Sequence, residues 1–419
     1  MNLPRALVVP VLALALGAAA ASAQEPPAQE PPAQAPAPTP PPQPGAAPPP
    51  AALADAKEAF RKGSCPEALD AALKVLAEQP KNLEGLYIAG ACERQLNQLD
   101  AAKTHLETLL ETSPIFPLVH FQLGYVGFLR ADALAREGKA EDAKATYGAA
   151  ADEFGKELER NATHAASLSS RAIALGRAGR TEESITAHEA WIAAAAQKND
   201  PVISLAATLA GAGKSTDAMT ALDRLPDKST KAAFDATMAV ASVYTARRDF
   251  GSAVPFLEKA AQIDAASTRV RSELVVACAR AGQIDDAVRN LKALLAMEPT
   301  PDEAEAAGEA IKLTVGDGRS APSRPGLEPP AVLRIPTPRY PKGQDMTVQT
   351  EVLVLVQVKR DNMVGDAVMV PNRIWKDMRT TGFEQEAIDA AKRGKFVAGT
   401  KDGNGADLWI VAPVRFARP

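Results

Sequence analysis

Between residues 51 and 313 the apolar positions recur with helical spacing, and a small residue returns at a fixed register. Ala68, Ala102, Ala143, Ser184, Ala218, Ala253 and Ala287 mark it, at successive spacings of 34, 41, 41, 34, 35 and 34 residues. Five positions before each stands a turn residue: Gly63, Asn97, Gly138, Gly179, Gly213, Arg248 and Gly282. Pro80, Pro114 and Pro299 follow Ala68, Ala102 and Ala287 by twelve positions. The pattern predicts helix–turn–helix units. A small residue lets the second helix approach the first, the turn residue permits the reversal, and Pro ends the second helix. The longer spacings predict about two extra helical turns in units three and four. Residues 302–313 fit a solvating cap helix, which stacked repeats need at an open end.

After residue 341 the period changes. Val348, Thr350, Val352, Val354, Val356 and Val358 define one face of a strand, with Gln349, Glu351, Gln357 and Lys359 on the other. Asp361-Asn362 offers a turn, and Val364–Val370 a second strand. Phe383, Ala387, Ile388 and Ala391 form a helical stripe. Leu408, Ile410, Ala412, Val414 and Phe416 alternate on a last strand.

The repeat register resembles the 34-residue tetratricopeptide (TPR) pattern, with about seven repeats. The terminal order of strand, strand, helix, strand resembles the TonB C-terminal family. That resemblance is carried by Arg339-Tyr340-Pro341 before the first strand, Gly382-Phe383 at the helix start, Gly394-Lys395-Phe396-Val397 after it, and Gly403 ahead of a strand ending Val414-Arg415-Phe416. Two departures stand out: Asn372–Thr381, containing Trp375, is longer than the family's usual connection, and Arg339 replaces the Gln frequent before Tyr-Pro in TonB. The fold class is thus mainly α, a TPR-type helical solenoid, plus a small C-terminal α+β domain.

The front of the chain is biased. Arg5, the apolar run from Ala6 to Ala20 and Ala21-Ser22-Ala23 read as a cleavable signal, 1–23. An uncleaved inner-membrane anchor is the alternative; Pro10 and the Ala and Gly after Leu16 weaken it as a spanning helix. No Cys lies near the cleavage point to carry a lipid. Thirteen of the chain's 34 prolines fall between Pro26 and Pro50, so 24–50 reads as an extended spacer. The solenoid then spans 51–313, a second Pro-rich linker 314–337, and the TonB-like domain 338–419. With 47 basic and 51 acidic residues the net charge is −4, which gives no field for nucleic acid. The expected location is the periplasm.

Candidate chemistry is sparse. Gly213-Lys214-Ser215-Thr216 resembles the end of a phosphate-binding loop, but Thr208 occupies the place of its first Gly and the flanks are helical. His105, His120, His164 and His188 lack the spacing of paired zinc ligands. No nucleophile elbow is present. We therefore expect no enzyme activity, no metal and no cofactor.

Three cysteines remain, Cys65, Cys92 and Cys278. Cys65 opens the second helix of repeat one and Cys92 closes the first helix of repeat two, so antiparallel packing brings them together. A disulfide between them would stabilise by roughly 2–4 kcal/mol; two buried free thiols are the alternative. Cys278 reads as a small core residue.

Two binding surfaces are expected. Tyr87, Arg94, Gln95, Phe121, Tyr125 and Phe128 fall on first helices, which line the concave wall of a solenoid, and suggest a peptide groove. The alternative is that the long helix of repeat three buries Phe121 and Phe128. In the last strand Pro413 lacks a donor, which places that strand at a sheet edge. An edge accepts an extended peptide by strand addition. The TonB resemblance implies the same mode, with Arg339, Tyr340 and Pro341 near the docked segment. Trp409, Val411 and Arg415 would flank it, unless Tyr340 and Trp409 merely cover the sheet. The expected function is a periplasmic protein–protein interaction scaffold, with proteins or extended peptides as partners and no nucleic acid or small-molecule substrate. The alternative that the TonB resemblance implies is an energy transducer for outer-membrane transport, with outer-membrane proteins as partners. The absence of any His before His105 and the cleavable apolar run rank the scaffold first.

Overall fold

The computed structural model describes residues 51–316, 325–344 and 350–416. The expected signal and first spacer lie outside these residues, as do Val348 and Gln349. The chain forms two compact units, Met1–Lys228 and Ser229–Pro419. The boundary falls within the repeats rather than at the second Pro-rich segment.

The first unit contains five helix pairs: α1 (Ala51–Arg61) with α2 (Cys65–Glu78), α3 (Leu83–Gln95) with α4 (Leu99–Thr112), α5 (Val119–Arg136) with α6 (Ala140–Arg160), α7 (Ala165–Arg177) with α8 (Thr181–Ala194), and α9 (Asp200–Gly211) with α10 (Ser215–Leu222). The second contains two more, α11 (Thr230–Ala246) with α12 (Phe250–Ile263) and α13 (Thr268–Arg280) with α14 (Ile284–Ala296), then α15 (Pro301–Val315). All seven turn residues read from the sequence have positive φ, from +60° at Asn97 and Arg248 to +79° at Gly138 and Gly179. Arg248 adopts this left-handed conformation at a cost of about 1 kcal/mol relative to Gly. The small residues behave as the register requires: Ala143 is 3% exposed and the other six are fully buried. The two 41-residue spacings appear as helices of 18 residues (α5) and 21 residues (α6).

α15 begins with a capping box: Thr300 Oγ1 accepts from Glu303 N at 3.3 Å, and Glu303 Oε2 accepts from Thr300 N at 2.8 Å. It is the expected cap helix, but its far side is not left to solvent. The strand-rich region that follows packs on it.

That region comprises β1 (Leu327–Glu328), β2 (Ala331–Arg334), β3 (Thr350–Val358), β4 (Val364–Met369), α16 (Trp375–Thr380), α17 (Phe383–Lys392), β5 (Lys395–Val397), β6 (Gly399–Lys401), β7 (Asn404–Ala406) and β8 (Leu408–Phe416). Its main sheet has the antiparallel order β4-β3-β8. β2 pairs with β5, and β1 with β6. Pairing therefore starts at Leu327, inside the segment read as linker.

One face of the sheet carries Val352, Val354, Val356 and Val358, all buried, and α17 lies against the same strands. Tyr340, Phe383 and Phe416 meet edge to face there, with centroids 4.8–6.0 Å apart. The opposite face, expected to be polar, is buried at its middle. Leu355 pairs with Val368 and Val411, and the three are 0%, 5% and 1% exposed. Contacts to the last repeat surround this face. Trp409 Nε1 donates to Asp285 Oδ1 of α14 at 2.7 Å, and Lys292 of α14 pairs with Asp366 of β4. The long connection also docks: Arg379 Nη1 donates to the Leu295 carbonyl at 2.9 Å, and Arg373 pairs with Asp302 at 2.5 Å. Trp375 is 1% exposed.

Gly308 of α15 marks the closest approach, since a Cβ there would sit 2.0 Å from the Pro371 carbonyl oxygen. Gly308→Ala should destabilise the second unit by about 1–3 kcal/mol, the usual cost of overpacking. Gly251→Ala, in α12 with nothing within 4 Å, should be neutral or stabilising by up to about 1 kcal/mol. Urea denaturation of both variants checks the pair; equal midpoints would mean that the docking is loose.

Candidate functional site

Successive first helices touch one another, α1 to α3, α3 to α5, α5 to α7 and α7 to α9, so they form a continuous wall in the first unit. Tyr87 and Arg94 lie seven residues apart on α3, hence on one face. Gln122, Tyr125 and Phe128 repeat every third residue on α5. The two helices meet through these side chains. Arg94 Nε donates to Gln122 Oε1 at 2.8 Å, and Gln122 Nε2 donates to the Tyr87 hydroxyl at 3.4 Å. The Arg94 guanidinium lies over Tyr125, 4.6 Å from the ring centroid.

Aromatic rings continue along the wall. Tyr87 packs on Phe60 and Phe116, and Tyr125 on Phe121 and Phe128. Arg177 of α7 stands 4.8 Å from the Phe128 ring and pairs with Asp132. Burial pushes the Tyr147 hydroxyl up to about 12, so it stays protonated and donates to Asp132.

The structure thus joins Tyr87, Arg94, Tyr125 and Phe128 in one surface. Phe121 is 7% exposed and belongs to the core with Phe154 and Leu175. Gln95 turns to Cys65, whose Sγ donates to its Oε1 at 2.8 Å. Gln122, which links the two helices, was not singled out from the sequence. Its signal was a polar side chain inside an apolar helical stretch, where a 6% exposed amide requires partners.

Cys65 and Cys92 share one buried cluster with Ala68, Ala89 and Ile88, and both are free thiols in this structure. Burial, with the Cys65 thiol beside it, pushes the Cys92 thiol far up. Cys278 is separate and fully buried, and burial raises it to about 12.

In the C-terminal region β8 stands at one edge of its sheet. Arg339 is exposed, and Arg415 is exposed and paired with Glu351 of β3 at 2.8 Å. Tyr340 and Pro341 are half-buried, the Tyr340 ring packing on Phe383 and Phe416. Two residues expected to flank a docked segment are already engaged: Val411 is buried and Trp409 is bound to Asp285. Pro413 sits opposite Leu353, whose carbonyl accepts from Val370 on the β4 side. The Pro413 nitrogen therefore faces the open edge, where it removes a donor without breaking the ladder.

Gly213-Lys214-Ser215-Thr216 is the α9–α10 turn, with Gly213 at φ +77°. Each histidine has a local partner: Glu93 for His105, Glu153 for His120, Ser167 for His164, and Ser184 with Ser204 for His188. No cluster of metal ligands occurs among the described residues.

Residues 244–310 match the tetratricopeptide repeat family model. That stretch and the seven helix pairs make the chain a mainly helical, TPR-like solenoid with a small strand-rich C-terminal region. Similar solved structures include YrrB, described as a TPR protein with an unusual peptide-binding site (16% identity, 47% of this chain and 90% of that one, TM-score 0.37). Others are PilW, a type IV pilus biogenesis factor (16%, 53% and 94%, 0.37), and a tetratricopeptide repeat protein from Parabacteroides merdae (14%, 63% and 97%, 0.37). No curated protein matches the chain.

Two predictions separate wall from core. Phe121→Ala should cost about 3–5 kcal/mol, whereas Tyr125→Ala should cost about 1 kcal/mol, near the worth of its stacking on Arg94; chemical denaturation measures both. Burial also pushes the His188 imidazole down to about 4. The folded state then takes this proton less readily than the unfolded chain, whose ordinary value is about 6.5. Stability present above pH ~6.5 should be lost as pH falls towards 4. His188→Gln should shrink that loss in melting scans over the same range.

Proposed function

We propose that this chain is an exported, periplasmic protein-interaction scaffold whose first unit holds an extended peptide on the wall of first helices. The observation that carries the reading is the bridged set Arg94, Gln122, Tyr87 and Tyr125, which presents aromatic rings and a guanidinium from two adjacent helices. Rigid rings and an Arg fork are what binding hot spots use. Nothing in the described residues assembles a nucleophile, base and oxyanion site, so binding rather than catalysis is the proposal.

A second reading concerns the C-terminal region whose sequence resembles TonB, where β3, β4, α17 and β8 come in that order among shorter strands. There β8 would add a partner strand through the outward groups of Trp409, Val411 and Arg415, with Pro413 leaving a gap that sets the register. Because Trp409 is held by Asp285 and Val411 is buried, specificity would come from Arg415 and the Arg339–Pro341 segment. Energy transduction in outer-membrane transport would also need a retained N-terminal anchor.

Export would supply an oxidising compartment for Cys65 and Cys92. Each thiol would lose a proton, and two electrons would pass to a disulfide of an exchange partner, leaving Cys278 free. Denaturing, non-reducing alkylation of protein from the periplasm should then label one thiol; three labels would remove the bridge.

The binding reading is tested by panning a phage-displayed random peptide library on the full chain and titrating selected synthetic peptides. Tyr87→Ala with Tyr125→Ala should weaken them at least tenfold with helical content unchanged. Unaltered affinity would move the site elsewhere. Sequencing the mature N-terminus tests export, with Gln24 expected first and an intact Met1 form in the inner membrane reviving the transducer.

A further inference from the structure

Burying a cation costs several kcal/mol unless a carboxylate or a full set of acceptors takes the place of water. Arg94 is 8% exposed, and no carboxylate among the described residues lies within ion-pair distance of it. Its neighbour Glu93 accepts from His105 at 2.8 Å and is itself 3% exposed. Only Nε of the guanidinium is used, on Gln122. The two Nη groups make no hydrogen bond to the described residues, yet neither is sealed off as a buried unpartnered atom. They reach the surface of the wall.

The same wall shows what completes such an arginine. Arg177 stacks on Phe128 and Tyr147 as Arg94 stacks on Tyr125, and its charge is met by Asp132, which pairs with Nη1. Arg130 of α5 has Asp100 at 2.9 Å. Arg94 has the stacking and the brace without the counter-charge. The chain carries a net charge of −4, so a general positive field does not attract acidic partners to this place. A local guanidinium would have to do so.

We propose that Arg94 is the anchor for an Asp or Glu side chain within an extended partner peptide, with apolar residues on either side. This rests on the reading of the wall as a peptide groove. The guanidinium fork matches a carboxylate bidentately. Tyr87 lies two turns before Arg94 on α3, and Tyr125 stands under the guanidinium on α5, so an extended peptide that follows both helices meets Arg94 with a side chain inside its length. Gln122 is a positioning residue. Its amide fixes Nε from one end and the Tyr87 hydroxyl from the other, holding the fork in place before the partner arrives.

The test uses peptides selected on the full chain from the phage-displayed library, resynthesised with amidated C-termini. Selected sequences should contain an Asp or Glu between apolar residues. Changing it to Asn or Gln should cost at least tenfold in affinity. Arg94→Gln should cost the same with the acidic peptide and nothing further with the neutral one. The peptide change needs no protein variant, so the result stands even where Arg94→Gln melts low; Arg94→Lys, which keeps the charge without the fork, should lose several-fold. Peptides without acidic residues, or affinities indifferent to Arg94→Gln but abolished by Tyr87→Ala with Tyr125→Ala, would overturn the carboxylate site and leave the groove. Binding that requires a free C-terminus would overturn the internal placement. A library that yields no binder would overturn both.

Discussion

Two helices joined by a three-residue turn can lie side by side only where the second begins with a side chain small enough to let the backbones meet. Ala68, Ala102, Ala143, Ser184, Ala218, Ala253 and Ala287 supply that contact, and all are buried. The constraint sets everything above it. It places first helices against first helices, which makes a wall, and it fixes which residues of α3 and α5 face one another across it. Ser184 shows how strict the site is. The one polar residue in the register turns its hydroxyl back onto the Ala172 carbonyl at 2.7 Å, because a buried donor must find an acceptor.

The strand-rich region is held by a different logic. A small sheet covered by one helix would present its second face to water, and Leu355, Val368 and Val411 would make that face apolar. The last repeat and α15 cover it instead, and the contacts are specific: an indole on a carboxylate, an Arg on a helix-end carbonyl, and a glycine where a chain passes too close for a methyl group. The connection carrying Trp375, longer than the TonB pattern, supplies much of this seam through Arg373 and Arg379. The segment that departs from the resemblance thus gives the region a neighbour. What these contacts leave uncovered includes the open edge of β8 and the exposed Arg339 and Arg415.

Polar groups on the wall behave as networks rather than as isolated residues. Gln122 has meaning only with Arg94 and Tyr87, and Asp132 only with Arg177 and Tyr147. In each case polar side chains are joined across a helix–helix seam, where isolated ones would be costly. That two such seams are built alike, one closed by Asp132 and one open at Arg94, is what makes the open one informative.

The sequence by itself determined the repeat. A turn residue that must take positive φ and a small residue five positions on are local demands, so they can be read in order along the chain, and each of the seven turns falls where the register put it. It also determined the strands β3 and β4, the helix α17 and the edge position of β8, because alternation, an apolar helical stripe and a Pro in the last strand are local too; the short strands β1, β2, β5, β6 and β7 and the helix α16 carry no such pattern and were not expected. Tertiary structure decided the rest. Leu353 and Leu355, sitting between the valines of β3, were the sign that both sheet faces are buried. What covers the second face depends on α14 and α15, far away in sequence. Likewise Phe121 and Tyr125 are one turn apart on α5, and only the arrival of Phe154 and Leu175 from α6 and α7 makes the first core and leaves the second on the wall. Periodicity reports which side of an element is apolar, whereas the partner that side meets is a property of the packed chain.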